Sequence, residues 1–225
     1  MLRLALISIA ALSAAGAAQA QDLKLSGDLT VVSDYRFRGY SLSDEQPAAQ
    51  GGLTLTGSSG FYAGVWASTI DEYGADAAGK GATVEFDLSL GRAFSLGAYD
   101  VDVGLAAYTY PGGQDVNFVE IPVSVARTSG AWTWTLGGAY APAQSNTGDQ
   151  DNAYVYGSAA LAPAAWPVSL DATLGWEDGA FADRKTDWSL GVSKNFGPVS
   201  LSARYVGTDA AGVDSTVVAS LGVTF

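Results

Sequence analysis

The spacing between runs of alternating residues constrains this chain more than the runs themselves do. About twelve runs of period two lie near 23–37, 48–57, 60–69, 82–94, 97–110, 116–128, 131–141, 152–162, 167–177, 186–196, 198–208 and 213–225. Short gaps fall at Gly57 to Gly60, Ser95-Leu96, Thr128 to Gly130, Pro163 to Trp166 and Gly197. Longer gaps fall at Arg38 to Pro47, Ile70 to Gly81, Pro111 to Asp115, Pro142 to Asp151, Asp178 to Lys185 and Asp209 to Gly212. Long and short alternate along the whole chain. An up-and-down barrel with both ends on one side predicts that sorting, whereas a Greek-key sandwich has no reason for it. The fold class read from the sequence is therefore all-β: an antiparallel up-and-down β-barrel of about twelve strands.

The faces say where such a barrel sits. In the final run, Val213, Val217, Ala219, Leu221, Val223 and Phe225 alternate with Asp214, Thr216, Ser220 and Thr224. A barrel in lipid needs this strand to pair with the first, because an open edge there leaves backbone groups unsatisfied. In the first run, Leu23, Leu25, Leu29, Val31, Tyr35 and Phe37 are expected to face lipid, opposite Lys24, Asp28, Asp34 and Arg36. Only Arg92, Arg127 and Lys194 put charge on the apolar face, each within a few residues of a short turn, where a base costs about 0–1 kcal/mol rather than about 2–4 at mid-bilayer. Phe94, Tyr99, Trp132, Phe196 and Phe225 gather near the short turns, and Phe37, Tyr140, Trp176, Trp188 and Tyr205 near the long loops, as two aromatic girdles. Tyr62, Trp66, Tyr154 and Tyr156 fit either face.

Composition narrows the function. The chain holds 11 Lys plus Arg against 23 Asp plus Glu, a net charge of -12 that disfavours nucleic acid as a partner. It has no Cys and no His, which excludes disulfides, thiol chemistry and a Ser–His or His–Asp centre. No enzyme activity, cofactor or bound metal is expected. Residues 1–20 read as a secretory signal: Arg3, an apolar stretch over Leu4 to Ala15, and Ala18-Gln19-Ala20 before the cut. The barrel domain then spans 21–225, in the outer membrane of a Gram-negative bacterium.

Ser33-Asp34-Tyr35-Arg36-Phe37-Arg38-Gly39, then Gln50-Gly51-Gly52, then Gly60-Phe61-Tyr62-Ala63-Gly64-Val65-Trp66-Ala67-Ser68 form a pattern covering the N-terminal third. It resembles the TorF family of porins, also described as a bacterial family of unknown function. The terminal Phe225 after alternating apolar residues is similar to the closing signature of bacterial outer-membrane barrels. The resemblance implies an outer-membrane location and a channel activity, and no substrate.

The candidate pore-lining residues are Asp28, Asp34, Arg36, Glu85, Asp87, Asp100, Asp102, Glu120, Asp171, Asp187, Arg204 and Asp214. Acids outnumber bases among them, so the expectation is a porin that passes small hydrophilic solutes by diffusion with a modest cation preference. Asp34, Arg36 and Arg38 allow two readings, a solute-contacting constriction or a structural ion pair fixing the first strand against the last; polar networks inside barrels favour the second. Twelve strands lie between about eight, where side chains fill the interior, and about sixteen, where a channel opens, so open and plugged lumens both remain. The alternative function is a non-conducting structural or adhesion barrel. Its acidic loops (Asp44-Glu45, Asp71-Glu72, Asp149 and Asp151, Glu177-Asp178) would bind ions or lipopolysaccharide. Expected partners are outer-membrane lipids, lipopolysaccharide and small solutes.

Overall fold

The computed structural model describes residues 23–225; the expected signal segment lies outside the described residues. Twelve strands close into one antiparallel barrel: β1 (Lys24–Val32), β4 (Ala48–Thr56), β5 (Phe61–Tyr73), β6 (Ala82–Leu96), β7 (Tyr99–Thr109), β8 (Phe118–Ser129), β9 (Trp132–Ala141), β10 (Asn152–Leu161), β11 (Ser169–Gly179), β12 (Lys185–Phe196), β13 (Val199–Thr208) and β14 (Thr216–Thr224). Each pairs with its neighbours in sequence, apart from the short strands β2 (Arg36–Phe37) and β3 (Tyr40–Ser41), which pair only with each other.

The last strand closes the wall. β14 pairs with β1 in the register Asp28↔Thr224 to Val32↔Ser220, and Gly27 and Phe225 exchange both backbone hydrogen bonds at 2.9 Å. No barrel edge is left open, which is the condition for a sheet to cross lipid.

Alternation then sorts the side chains. Leu25, Leu29, Leu90, Leu136, Leu174, Leu190 and Leu221 all point outward and are exposed, Leu136 by 71%. An apolar belt of this kind marks a surface that meets something other than water. Arg92 lies over the rings of Phe61 and Phe94 at 5.1 and 5.3 Å, Arg127 over Tyr99 at 5.5 Å, and Lys194 over Phe196 at 4.9 Å. These bases on the outer face therefore sit among the aromatic side chains at the short-turn end.

Connections at the end bearing β1's start and β14's end are mostly tight; those at the other end are mostly long. One pair breaks the length rule. The turn over 162–168 outlasts the loop over 180–184, because β11 and β12 extend as far as Gly179 and Lys185 and draw loop residues into the wall. Glu177 and Lys185 consequently face each other as a ladder pair.

The first strand is shorter than expected. β1 stops at Val32, not at residue 37. Ser33 completes the ladder with its own groups: its N–H donates to the Ala219 carbonyl and its Oγ accepts from the Ala219 N–H, both at 2.9 Å. With its backbone partner thus satisfied, the chain leaves the wall and turns into the barrel. Tyr35 and Phe37 are therefore not lipid-facing. Tyr35 is buried and meets Trp66 edge-on at 5.5 Å, and Phe37 meets Tyr108 at 5.8 Å. Both join an apolar cluster inside the long-loop half with Val32, Ile70, Tyr110 and Phe118.

Candidate functional site

The inserted segment is a hairpin. Phe37 pairs with Tyr40 across the two residues Arg38 and Gly39, both with positive φ (48° and 90°). Two such residues at the tip are what a two-residue turn compatible with strand twist requires. At Gly39 an added Cβ would lie 2.7 Å from Thr208 Cβ on β13 and 3.3 Å from Asp187 Cβ on β12, so the tip abuts the wall there and admits only glycine. Asp34 fastens the base of the hairpin: it is buried and accepts from Arg36 Nε, from Ser41 Oγ at 2.6 Å and from Ser43 Oγ at 3.3 Å.

Arg38 carries the tip into a clamp. Its Nη1 donates to Glu177 Oε1 on β11 and its Nη2 to Glu120 Oε2 on β8, both at 2.6 Å. The guanidinium lies 4.3 Å from the Tyr154 ring centre and 4.7 Å from that of Phe37. Lys185 Nζ contacts Glu177 Oε2 at 3.1 Å and Asp187 Oδ2 at 3.4 Å, and donates to the Arg38 carbonyl. Asn152 Nδ2 donates to Glu177 Oε1 at 3.0 Å. Burial alone would lower the Arg38 pKa, but Glu120 and Glu177 outweigh it and push it above the ordinary arginine value, so the side chain stays charged. Charge-assisted bonds of this kind to two strands are the strongest polar ties available to a loop.

The hairpin divides the lumen. A vestibule of about 750 Å³ opens at the long-loop end, lined by Tyr40, Glu45, Asp71, Tyr110 and Phe181 among others. A cavity of about 410 Å³ lies toward the short turns, lined by Tyr62, Asp102, Glu120, Tyr154 and Tyr156. Phe37 and Arg38 line both, so they form the partition between them. A smaller space of about 220 Å³ lies on the other flank, between Asp34, Tyr35, Arg36, Trp66 and Arg204.

A family model described as a bacterial protein of unknown function, Gcw_chp, matches residues 15–223. The chain belongs to that family. The TorF name suggested by the N-terminal motif is not the one the matching model carries. No curated protein matches the sequence. Among solved structures, the KdgM porin aligns over 89% of this chain and 98% of its own with a TM-score of 0.61 at 7% identity. The NanC porin aligns over 88% and 98% with a TM-score of 0.56 at 14% identity. At such identities the likeness is one of fold: this Gcw_chp chain has a porin-like barrel.

The other residues singled out in the sequence fall into three groups. Glu85, Asp87, Asp102, Glu120, Asp171, Asp187 and Arg204 project inward from the wall. Tyr110 OH donates to Glu85 at 2.9 Å, Tyr62 OH to Asp102 at 2.9 Å and Tyr154 OH to Asp187 at 3.2 Å. Arg204 makes a two-pronged contact with Asp171 across the intervening β12. Asp28 is half-buried beside Gly52. Asp34 and Arg36 belong to the hairpin instead of the wall. Arg36 reaches the Asp214 carbonyl at 3.2 Å, just ahead of the last strand. Asp100 and Asp214 sit at the two mouths: Asp100 is exposed and accepts from Ser95 Oγ at 2.8 Å, and Asp214 precedes β14 and lines the vestibule.

Sequence reasoning placed Arg38, Glu177 and Lys185 in loops and so missed the clamp. The signal that was available is the Phe-Arg-Gly-Tyr tip, a two-residue turn between aromatics. The acidic loops serve their own turns. Asp76 Oδ1 accepts from the Ala78 and Lys80 N–H groups, and Asp178 accepts from Arg184 N–H. Among the described residues no three carboxylates converge on a metal site.

Tyr62, Tyr154 and Tyr156, left open by the sequence, face inward and lie flat against glycines. A Cβ on Gly175 would come 2.2 Å from Tyr154 Oη and 2.7 Å from its ring. Gly175→Ala must therefore displace the ring that supports Arg38, and should cost about 1–3 kcal/mol in urea unfolding of the reconstituted barrel. Gly157→Ala, which meets nothing within 4 Å, should change stability little.

Proposed function

We propose that this protein is an outer-membrane diffusion channel for small hydrophilic solutes, non-enzymatic, with a modest cation preference and its constriction at Arg38. The long loops face outward and the short turns the periplasm, and export follows from the N-terminal signal. The observation that carries this reading is the partition itself: a vestibule ringed by charged side chains and a mostly aromatic cavity with Asp102 and Glu120 in its wall occupy one barrel, and what separates them is a hairpin tip held by side chains. The cation preference is supported by the excess of inward carboxylates over Arg36, Arg38, Lys185 and Arg204. Arg38 and Lys185 enlarge the basic side beyond what the sequence suggested, which keeps the preference small. A related structure is described as the KdgM porin in complex with disordered oligogalacturonate, aligned at a TM-score of 0.59 and 8% identity. An acid-lined lumen repels such an anionic sugar, so a neutral or cationic solute suits this chain better. The outer belt contacts lipid, and the long loops reach the lipopolysaccharide layer.

The hairpin also favours a second reading, a non-conducting structural or adhesion barrel. Single-channel recording in a planar bilayer under a salt gradient separates the two. The channel reading expects stepwise conductance with a reversal potential on the cation side. Asp102→Asn, at the wall of the cavity toward the short turns, should move that potential toward zero. Silence from protein shown to be folded would establish the second reading.

A further inference from the structure

The cage around Arg38 is built independently of Arg38. Glu177 is held at both oxygens, by Asn152 on Oε1 and by Lys185 on Oε2, and Lys185 is held in turn by Asp187. Tyr154 is steadied by its hydroxyl on Asp187. These contacts come from β10, β11 and β12, and Lys185 among them also touches the hairpin, at the Arg38 carbonyl. Glu120 is different. It is fully buried, and its salt-bridge partner is Arg38, through Oε2. With Arg38 removed, its carboxylate would stay buried without a cation, which costs free energy until another cation enters. Glu120 lines the cavity toward the short turns, so space from which such a cation can approach adjoins it.

What the cage holds is a planar cation. The two terminal nitrogens of one guanidinium each donate to a carboxylate from a different strand, and an aromatic ring lies within cation–π range. An ammonium is a compact point charge and lacks the planar fork that spans both acids while stacking on a ring. We propose that Glu120, Glu177 and Tyr154 form a binding site for small guanidinium-bearing solutes, which Arg38 fills in the closed channel and which a permeating solute takes over by displacing it. The permeation step rests on the channel reading; the binding step does not.

The experiment uses the full-length barrel with Arg38→Ala and guanidinium chloride at millimolar concentration, with equal sodium chloride as the control. Guanidinium should raise the thermal unfolding midpoint of Arg38→Ala, because a ligand of the folded state alone stabilises it. It should not do so for wild type, where the site is filled, or for Arg38→Ala with Glu120→Gln. In bilayers, Arg38→Ala should conduct more than wild type, and guanidinium should block it at a concentration at least about tenfold below that of any block of the double variant. If Arg38→Ala does not fold, Arg38→Lys carries the same comparison, since a lysine cannot span both acids. A midpoint shift with no conductance in any variant would keep the binding site and overturn the channel reading. Conductance with equal guanidinium effects in the single and double variants would overturn the site and leave the channel.

Discussion

Glu177→Ala is expected to destabilise the barrel by about 3–5 kcal/mol, read as a shift of the urea midpoint at constant slope in reconstituted protein. Glu177 is the shared partner of two cations. Its Oε1 accepts from Arg38 and Asn152, its Oε2 pairs with Lys185, and its side chain is 3% exposed. Truncation leaves Arg38 with Glu120 alone and Lys185 with Asp187 at 3.4 Å. Breaking a buried pair on one side costs more than the pair contributes, because the remaining charge stays out of water without compensation. Glu45→Ala supplies the comparison. Glu45 also meets an arginine, Arg36 at 3.1 Å, but its carboxylate is two-thirds exposed, so its loss should cost under about 1 kcal/mol. Equal small effects at both positions would mean that water reaches the clamp freely and that the hairpin tip is not locked by charge.

The wall was legible in the sequence because a period of two is a statement about sides. Once Leu88 and Leu90 face out, Asp87 and Ser89 face in, and nothing further is needed to orient Glu120 or Asp187. The closure of the last strand on the first was legible for the same reason, with register Val31↔Leu221 matching apolar to apolar. The hairpin was not legible. Ser33 to Phe37 continues the alternation of β1, so the pattern carries no mark of the point where the chain leaves the wall. That point is set by a side-chain bond, Ser33 Oγ to Ala219 N–H, between residues far apart in sequence. Once the chain turns inward, the same aromatic residues that suit a lipid girdle suit a buried cluster, and Tyr35 and Phe37 change sides without any change in composition. Glu177 and Lys185 were missed for a related reason. Charged residues beside a turn read as loop, but here they form a ladder pair whose charges cancel inside the barrel.

Leu136→Arg should prevent or strongly weaken folding into lipid vesicles, while Thr135→Arg, one residue away, should be tolerated. Both positions lie midway along β9. Leu136 points outward and is 71% exposed; Thr135 points inward beside Ser158 and Ala126. If the outer belt meets the hydrocarbon of a bilayer, an arginine at its middle costs about 2–4 kcal/mol, whereas one facing a polar lumen alters selectivity more than stability. If the same surface met water, the prediction would reverse. Replacing a largely exposed leucine by arginine would be neutral, and inserting arginine into a confined interior would be the harmful change. Folding yield and urea midpoint in phosphatidylcholine vesicles, measured side by side for the two variants, decide between them. A tolerated Leu136→Arg with a damaging Thr135→Arg would remove the membrane from the account of this barrel, and the channel with it.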